Sequence, residues 1–201
     1  MKETAALIKQ GQLSWRDRVL WLYGLSGAGK STIAYRLQLE LSKQGITTIV
    51  LDGDELRLGV NKDLGFSETD RTENIRRVAE MAKLLVTQHQ MVICSLITPL
   101  HAHRQLAKQI LGDSYFGVLI NCPLSICEQR DVKGLYQKAR QKQIVSFTGI
   151  SSPFETFADD DLVVYTAKQT VDESVAVIWE RLQYFAADLP GTSQRREKIY
   201  V

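Results

Sequence analysis

Short apolar runs alternate with longer amphipathic segments along most of the chain. The apolar runs lie at Val19–Tyr23, Ile46–Leu51, Met91–Ile97, Tyr115–Asn121 and Leu162–Thr166. Runs of this length, without polar residues at every second position, are typical of strands that are buried on both faces of a sheet. The pattern therefore predicts five buried strands.

Between these runs, apolar residues recur at the spacing of a helix. In the first such segment Ile33, Leu37 and Leu41 share one face, and Gly45 ends the pattern. A longer helix is expected to begin after an N-cap at Ser67. The predicted helices cover Lys30–Gln44, Ser67 to about His89, Pro99 to about Leu111, a short segment after Pro123, and Val171–Phe185.

The alternation of strands and helices predicts an α/β fold. We expect a parallel five-stranded sheet with helices on both faces. We assign the domain to residues 19–186, preceded by an N-terminal arm at 1–18 and followed by a polar C-terminal tail at 187–201. Ligands of such sheets bind beyond the carboxyl ends of the strands, and the polar insertion at about 131–160 is expected at the same edge.

Composition narrows the function classes. The 201 residues are 44% hydrophobic and 24% charged, with a net charge of +2, so no basic field indicates a nucleic-acid partner. No apolar run approaches the roughly 18 residues of a membrane span, and the N-terminus has no signal-peptide pattern. Cys94, Cys122 and Cys127 lack metal-site or C-x-x-C spacing, which favours reduced thiols and a cytoplasmic location.

The strongest chemical signal is a phosphate-binding loop. Residues 24–31 read GLSGAGKS and fit G-x-x-x-x-G-K-[ST], between a predicted strand and a predicted helix. In this motif backbone N–H groups surround phosphate oxygens, Lys30 reaches the β- and γ-phosphates, and Ser31 can bind Mg²⁺. The predicted ATP-binding residues are Gly27, Ala28, Gly29, Lys30, Ser31 and Thr32. The motif alone does not indicate a kinase, since switches and motors share it.

Carboxylates and guanidinium groups follow the second predicted strand. Asp52 and Asp54 could bind Mg²⁺ and orient an attacking hydroxyl, although an Asp-capped turn has the same pattern. Arg57 and Arg71 lie in an arginine-rich segment with Asn74. Guanidinium groups bind phosphate and sulfate in bidentate fashion, but a solvated helix surface would look the same.

Five further runs resemble the adenylylsulfate kinase family. They are LDGDELR at 51–57, NKDLGFS at 61–67, DRTENIRR at 70–77, CEQRDVKGLY at 127–136 and FTGI at 147–150. With the phosphate loop they extend over nearly the whole domain, roughly residues 19–185, and they occur in the family's order. Chance similarity does not produce matches of this length and order.

The resemblance implies a P-loop NTPase fold whose mobile lid, at about 131–160, closes over both nucleotides. It implies a kinase that uses ATP and Mg²⁺ to phosphorylate the ribose 3′-hydroxyl of adenylyl sulfate, in sulfate assimilation. Family members are commonly dimers, so a homodimer is expected.

Residue roles are carried over from the resemblance to matching positions. Asp52 corresponds to the catalytic base and, with Ser31, to a metal ligand; Lys30 and Lys133 are the other expected catalytic residues. The expected acceptor contacts are Asp54, Arg57, Phe66, Arg71, Asn74, Ile97, Lys133, Ser146 and Phe147. Phe66 and Phe147 match two rings that enclose the adenine of the acceptor, and a base stacked on an aromatic ring is stabilised by ~1–3 kcal/mol.

The chain departs from the family at a few positions. Glu55 stands where an asparagine is usual, residues 95–99 read SLITP instead of SFISP, and Gln137 replaces a lysine. A carboxylate beside an anionic acceptor would weaken binding if the side chain faced it. Two alternatives therefore stay open: a related kinase for another nucleotide-linked acceptor, of cytidylyl or phosphoramidate type, and a non-catalytic nucleotide-binding regulatory protein.

Overall fold

The computed structural model describes residues 17–155 and 162–187, with side chains described as far as Gln183. The strands are β1 (Val19–Tyr23), β2 (Thr48–Asp52), β3 (Met91–Ser95), β4 (Tyr115–Asn121) and β5 (Leu162–Tyr165). The helices are α1 (Lys30–Lys43), α2 (Gly53–Leu58), α3 (Glu68–Thr87), α4 (His101–Leu111), α5 (Leu124–Arg130), α6 (Leu135–Arg140) and α7 (Val171–Ala187), with a 3₁₀ turn at Gly112–Ser114. Nearly all of the predicted arm and tail lies outside the described residues.

The five strands form one parallel sheet in the order β2-β3-β1-β4-β5. This confirms the predicted fold class. Along the chain the strands step from β1 to the sheet edge at β2 and then return through β3 to β4 and β5, which leaves β1 between β3 and β4. Such a switch point opens a crevice at the carboxyl ends of the strands, where the loop after β1 begins.

Two apolar clusters cover the two faces of the sheet, and β1 contributes to both. Leu20 and Leu22 pack with residues of α1 and α7, whereas Trp21 and Tyr23 pack with residues of α3 and α4. Successive side chains of a strand point to opposite faces, which explains the division. The fully buried β1 thus fixes the position of the loop that follows it.

The predicted elements need correction at several places. The short helices α2 and α6 were not predicted, β2 begins at Thr48 rather than Ile46, and β3 ends at Ser95 rather than Ile97. The carbonyl of Ile97 accepts a hydrogen bond from Gly24 N (3.2 Å) instead of continuing the ladder. Thr98 then takes a left-handed conformation (φ 44°), so α4 begins at His101 rather than Pro99.

No helix within the described ranges combines the length and the apolar content needed to cross a bilayer.

His103 on α4 is expected to make the fold sensitive to acid. Its Nε2 donates to Thr72 Oγ1 (3.1 Å), since that hydroxyl already donates to Glu68 O. Its Nδ1 is buried and has no partner in the described part of the chain. Burial, and then the nearby charge of Arg71, lowers the pKa of His103 below its ordinary value of 6.5.

The folded state binds this proton less readily than the unfolded state. The contribution of neutral His103 to the free energy of unfolding is therefore fully present above about pH 6.5, and it falls as the pH drops towards the folded-state pKa. We expect the melting temperature to fall between about pH 7.5 and pH 5.5, and to fall less in His103→Gln. Calorimetry at both pH values measures this, with the exposed His101→Gln as the matched control. An equal fall in all three proteins would contradict it.

Candidate active site

A cavity of about 580 Å³ lies at the carboxyl edge of the sheet. Its wall is formed by the phosphate loop, the start of α2, the N-terminal half of α3, residues 95–99 after β3, and residues 130–136 of the predicted lid. A second group of residues, 166–174 around the end of β5, closes the other side. The volume is in the range of small-molecule sites.

The phosphate loop has the conformation that its glycines predict. Gly24 has φ 152°, and a Cβ there would lie 2.4 Å from the carbonyl oxygen of Ile120. Gly29 has φ 101° and directly precedes α1, so the N-terminus of that helix faces the cavity. Backbone N–H groups at a helix N-terminus favour bound phosphate. Gly27, Gly29, Lys30, Ser31 and Thr32 line the cavity, while Ala28 is fully buried.

Lys30 is nearly buried within this loop. Its Nζ donates to the carbonyl oxygen of Leu25 (2.7 Å), and the residue is 9% exposed. Burial lowers its pKa to about 8, against an opposing effect of the Asp54 and Asp52 carboxylates. A cation in so little solvent gains more from a phosphate partner than an exposed lysine would.

Three side chains bring oxygen atoms together next to the loop. Ser31 Oγ donates to Asp52 Oδ2 (2.6 Å) and lies 3.3 Å from Ser95 Oγ. Hard oxygen ligands, few in number, suit Mg²⁺, which keeps several waters and takes the rest of its ligands from nucleotide phosphates. Among the described residues no larger cluster of histidine, cysteine or carboxylate side chains competes for a metal. Ser31 and Asp52 therefore fit the metal role that the resemblance implies.

Asp52 also organises the next element. Its Oδ1 accepts from the backbone N–H of Asp54 (2.9 Å), which caps the N-terminus of α2. The carboxylate is 5% exposed and does not itself line the cavity, whereas Ser31 does. One side chain therefore links the loop that binds phosphate to the helix that carries Asp54 and Arg57.

Two guanidinium groups flank an exposed ring on the opposite wall. Arg57 lies 4.5 Å and Arg71 lies 5.7 Å from the centre of the Phe66 ring, which is 56% exposed. Both arginines donate to backbone carbonyls: Arg57 to Leu64 and Gly65, and Arg71 to Phe66 and Ser146. Neither forms an ion pair with a carboxylate of the described residues.

The charges of these arginines are thus left for a ligand. Burial lowers the pKa of both, and the neighbouring charge of Arg57 lowers that of Arg71 further. Two like charges held together in a partly buried site stabilise a bound anion, because the anion removes their repulsion.

The lid segment contacts both walls. Lys133 forms an ion pair with Asp54 across the mouth of the cavity. Tyr136 of α6 is 2% exposed and donates from its hydroxyl to the carbonyl oxygen of Ser26 in the phosphate loop (2.8 Å). The start of the lid is therefore attached to the phosphate loop.

Phe147 lies at the other end of the lid and is placed differently from Phe66. It is 9% exposed, packs edge-on against Tyr136 with a centroid separation of 5.0 Å, and does not line the cavity. Ser146 does not line it either, although its carbonyl accepts from Arg71 (2.7 Å). A base enclosed by both rings would require Phe147 to move, so that expectation stays a prediction.

The other predicted acceptor-binding residues all lie around the same cavity. The cavity is lined by Asp54, Arg57, Phe66, Arg71, Asn74, Ile97 and Lys133. Glu55 is not among the lining residues; its Oε1 accepts from the hydroxyl of Tyr35 on α1 (2.7 Å). This hydrogen bond raises the pKa of Tyr35 to about 12. The added carboxylate is thus directed towards α1.

Sequence reasoning missed the wall beyond the phosphate loop. Arg130 donates to the carbonyls of Gly27 (3.3 Å) and Thr166 (2.8 Å), and Thr166 Oγ1 donates to Ala28 O (2.8 Å). Both residues line the cavity. For Arg130 the available signal was its place in the CEQRDVKGLY run. For Thr166 it was the position directly after β5, at the carboxyl edge of the sheet where ligands bind.

Comparisons with known proteins agree with this geometry. The family model described as adenylylsulphate kinase matches residues 16–165. The adenylyl-sulfate kinase of Paraburkholderia xenovorans is 52% identical over 160 residues, covering 80% of this chain and 89% of that protein. That of Clostridium acetobutylicum is 45% identical over 175 residues, covering 87% and 88%.

Solved structures give the same result. The Mycobacterium tuberculosis APS kinase in complex with AMPPNP and APS superimposes with a TM-score of 0.80 at 42% identity, covering 83% of this chain and 97% of that one. The shikimate kinase of Aquifex aeolicus, at 17% identity and a TM-score of 0.51, shares the fold alone.

Proposed function

Because the chain belongs to the adenylylsulfate kinase family, we propose that it transfers the γ-phosphate of ATP to the ribose 3′-hydroxyl of adenylyl sulfate, with Mg²⁺ as cofactor. The observation that carries the proposal is the pair Arg57 and Arg71, which flank Phe66 in the same cavity as the phosphate loop and form no ion pair with any carboxylate that the structure describes. This arrangement suits a flat base attached to a second anion.

The donor nucleotide is assigned to the phosphate-loop side. The N–H groups that precede α1 and the Lys30 ammonium surround the phosphates, and Ser31 with Asp52 would hold the metal. Arg130 and Thr166, which are hydrogen-bonded to each other, form the cavity wall beyond the loop, on the side that would take the base and ribose of ATP. Arg130 is already held flat by two carbonyl bonds, as stacking on a base requires.

The acceptor is assigned to the opposite wall. Phe66 offers the ring on which a base stacks, and Arg57, Arg71 and Asn74 offer donors to the phosphosulfate and ribose oxygens. Lys133 and Asp54 pair with each other across the mouth, so an acceptor that enters must displace or extend this ion pair.

Phosphoryl transfer needs positioning and charge stabilisation more than covalent chemistry. Lys30 stabilises negative charge on the transferred group, while Asp52 aligns the attacking hydroxyl and accepts its proton. Mg²⁺, when bound, neutralises charge shared by the β- and γ-phosphates. The lid excludes water, which would otherwise compete as the acceptor.

A coupled ADP-release assay tests the proposal directly. Purified protein with ATP and Mg²⁺ is expected to release ADP only when adenylyl sulfate is added, and the nucleotide product is expected to carry a new 3′-phosphate. Release with a cytidylyl or phosphoramidate nucleotide instead would support a related kinase. No release with any of them would leave the non-catalytic alternative.

Phe66→Ala is expected to raise the KM for the acceptor by about five- to 150-fold, because a base–aromatic stack contributes ~1–3 kcal/mol. The KM for ATP is expected to stay within about twofold, since Phe66 lies on the other wall. Steady-state kinetics with each substrate varied separately measures both values. Phe66→Tyr keeps the ring and is the matched control; an unchanged acceptor KM in Phe66→Ala would show that the base binds elsewhere.

Glu55→Asn, which restores the usual family residue, is expected to change the acceptor KM by less than about fivefold. The Glu55 carboxylate is bonded to Tyr35 and does not line the cavity, and an exposed contact of this kind contributes ~1 kcal/mol at most. The same kinetic assay measures it, with Tyr35→Phe as a control that removes only the partner hydroxyl. A tenfold lower acceptor KM in Glu55→Asn would place the carboxylate beside the anion.

The cytoplasmic location and the homodimer remain proposals. Buried free thiols at Cys94, Cys122 and Cys127 support a reducing compartment.

A further inference from the structure

Asn61 is a fully buried polar residue in the segment between α2 and α3, and it does not line the cavity. Its side-chain Nδ2 donates to Oδ1 of Asn74 at 3.0 Å, in a buried contact. Its backbone is held on both sides, because its N–H donates to Leu56 O (2.8 Å) and its C=O accepts from Leu64 N (3.1 Å). A side chain so restrained can fix the orientation of its partner.

Asn74 does line the cavity, on the wall assigned to the acceptor, and it is 5% exposed. An asparagine amide has one carbonyl acceptor and one NH₂ donor, which diverge from the same carbon and so face different neighbours. Because Asn61 occupies Oδ1, the NH₂ is the end that is left for a ligand. Over residues 17–155 and 162–183, this NH₂ has no protein acceptor.

We propose that Asn61 is a positioning residue that orients the amide of Asn74 so that its N–H donates to an oxygen of the acceptor nucleotide. This inference rests on the function proposed above and adds a device for acceptor selectivity. Ribose hydroxyl and sulfate oxygens accept such a bond, whereas a group that carries only N–H donors would meet a donor and be rejected.

The reverse orientation of the pair is less favourable. If the NH₂ of Asn74 donated to Asn61 Oδ1, the NH₂ of Asn61 would be buried without an acceptor. In the observed arrangement the group without a partner among the described residues is Oδ1 of Asn61. Buried carbonyl oxygens without a partner are tolerated more often than buried N–H groups.

Asn61→Asp tests the orientation with almost no change in shape. An ionised carboxylate has only acceptors, so it would take the NH₂ of Asn74 and turn the carbonyl oxygen towards the cavity. The acceptor KM is expected to rise more than tenfold, while the KM for ATP stays within about twofold. Because a buried charge can unfold the protein, the melting temperature is measured in parallel and Asn61→Ala serves as the uncharged second variant.

A double-mutant cycle shows whether Asn61 acts through Asn74. Asn61→Ala is expected to raise the acceptor KM about five- to tenfold in the otherwise native enzyme, and less than twofold in the Asn74→Ala background. A structural role elsewhere would give the same factor in both backgrounds and would overturn the proposal. So would an unchanged acceptor KM in both Asn61→Ala and Asn61→Asp.

The same kinetic measurements on the native enzyme separate this inference from the function on which it rests. A native enzyme that fails to phosphorylate adenylyl sulfate would contradict the proposed function, and this role with it. A native enzyme that turns over normally, beside Asn61 variants with native acceptor KM, would overturn the role of Asn61 alone.

Discussion

Asp52→Ala is expected to lower kcat by about a hundred- to a ten-thousandfold, the usual contribution of a general base. The carboxylate accepts from Ser31 Oγ at 2.6 Å, next to the phosphate loop, where an attacking hydroxyl and the metal would meet. Removing it leaves the hydroxyl without a proton acceptor and the metal without its charged ligand. ATP binding, which depends mainly on the loop N–H groups and Lys30, is expected to weaken far less. Single-turnover kinetics and titration with a non-hydrolysable ATP analogue measure the two effects.

The control for this variant must separate chemistry from folding, because Asp52 also caps α2 through Asp54 N. Loss of such a cap costs ~1 kcal/mol. Asp52→Asn keeps a capping oxygen but has no charge, so it should melt close to the native protein and remain as inactive as the alanine variant. Near-native turnover in Asp52→Asn would remove the carboxylate from the mechanism.

Lys30→Met is expected to lower kcat by about a hundred- to a thousandfold, as the loss of one preorganised charge contact to a transition state does. The ammonium is nearly buried, and burial lowers its pKa to about 8 while it donates to Leu25 O. Phosphate oxygens that replace this carbonyl would bring negative charge into direct contact with the ammonium. The methionine fills similar volume without charge, so the fold should persist.

Lys30→Arg completes this test. An arginine retains the charge, but its planar group is larger than the compact ammonium that the loop encloses, so it should restore little activity. Turnover and analogue affinity are measured for both variants, with the melting temperature as the check on folding. A Lys30→Met enzyme within about fivefold of native kcat would show that another group stabilises the transferred phosphoryl.

The sheet and the phosphate loop could be predicted because their signals are local. The buried run Val19–Tyr23 needs no long-range information, and the glycines of 24–31 supply the positive φ angles of the loop that follows it. The short α2 was missed because six residues contain too few turns to show a periodicity, and because Asp52 at its N-cap also resembles a turn residue.

The parts that sequence alone could not give depend on pairs distant along the chain. Glu55 accepts a hydrogen bond from Tyr35 on another helix, and Arg130 donates to the carbonyl oxygen of Thr166 after β5. Phe147 is folded against Tyr136 rather than into the cavity, which depends on how the lid packs. Such contacts depend on the tertiary fold, so only the family resemblance could indicate which of these residues lie near the active site.

The carbonyl oxygens that hold Arg57 and Arg71 have a consequence for binding entropy. A free arginine side chain that is immobilised by a ligand loses ~0.5–1.5 kcal/mol of conformational freedom. Here the carbonyl oxygens of Leu64, Gly65 and Ser146 restrain both arginine side chains before an anion binds. Their conformational entropy is therefore lost during folding and not during binding. More of the attraction between guanidinium and anion is then available as affinity, and the acceptor encounters a site that is already in its binding shape.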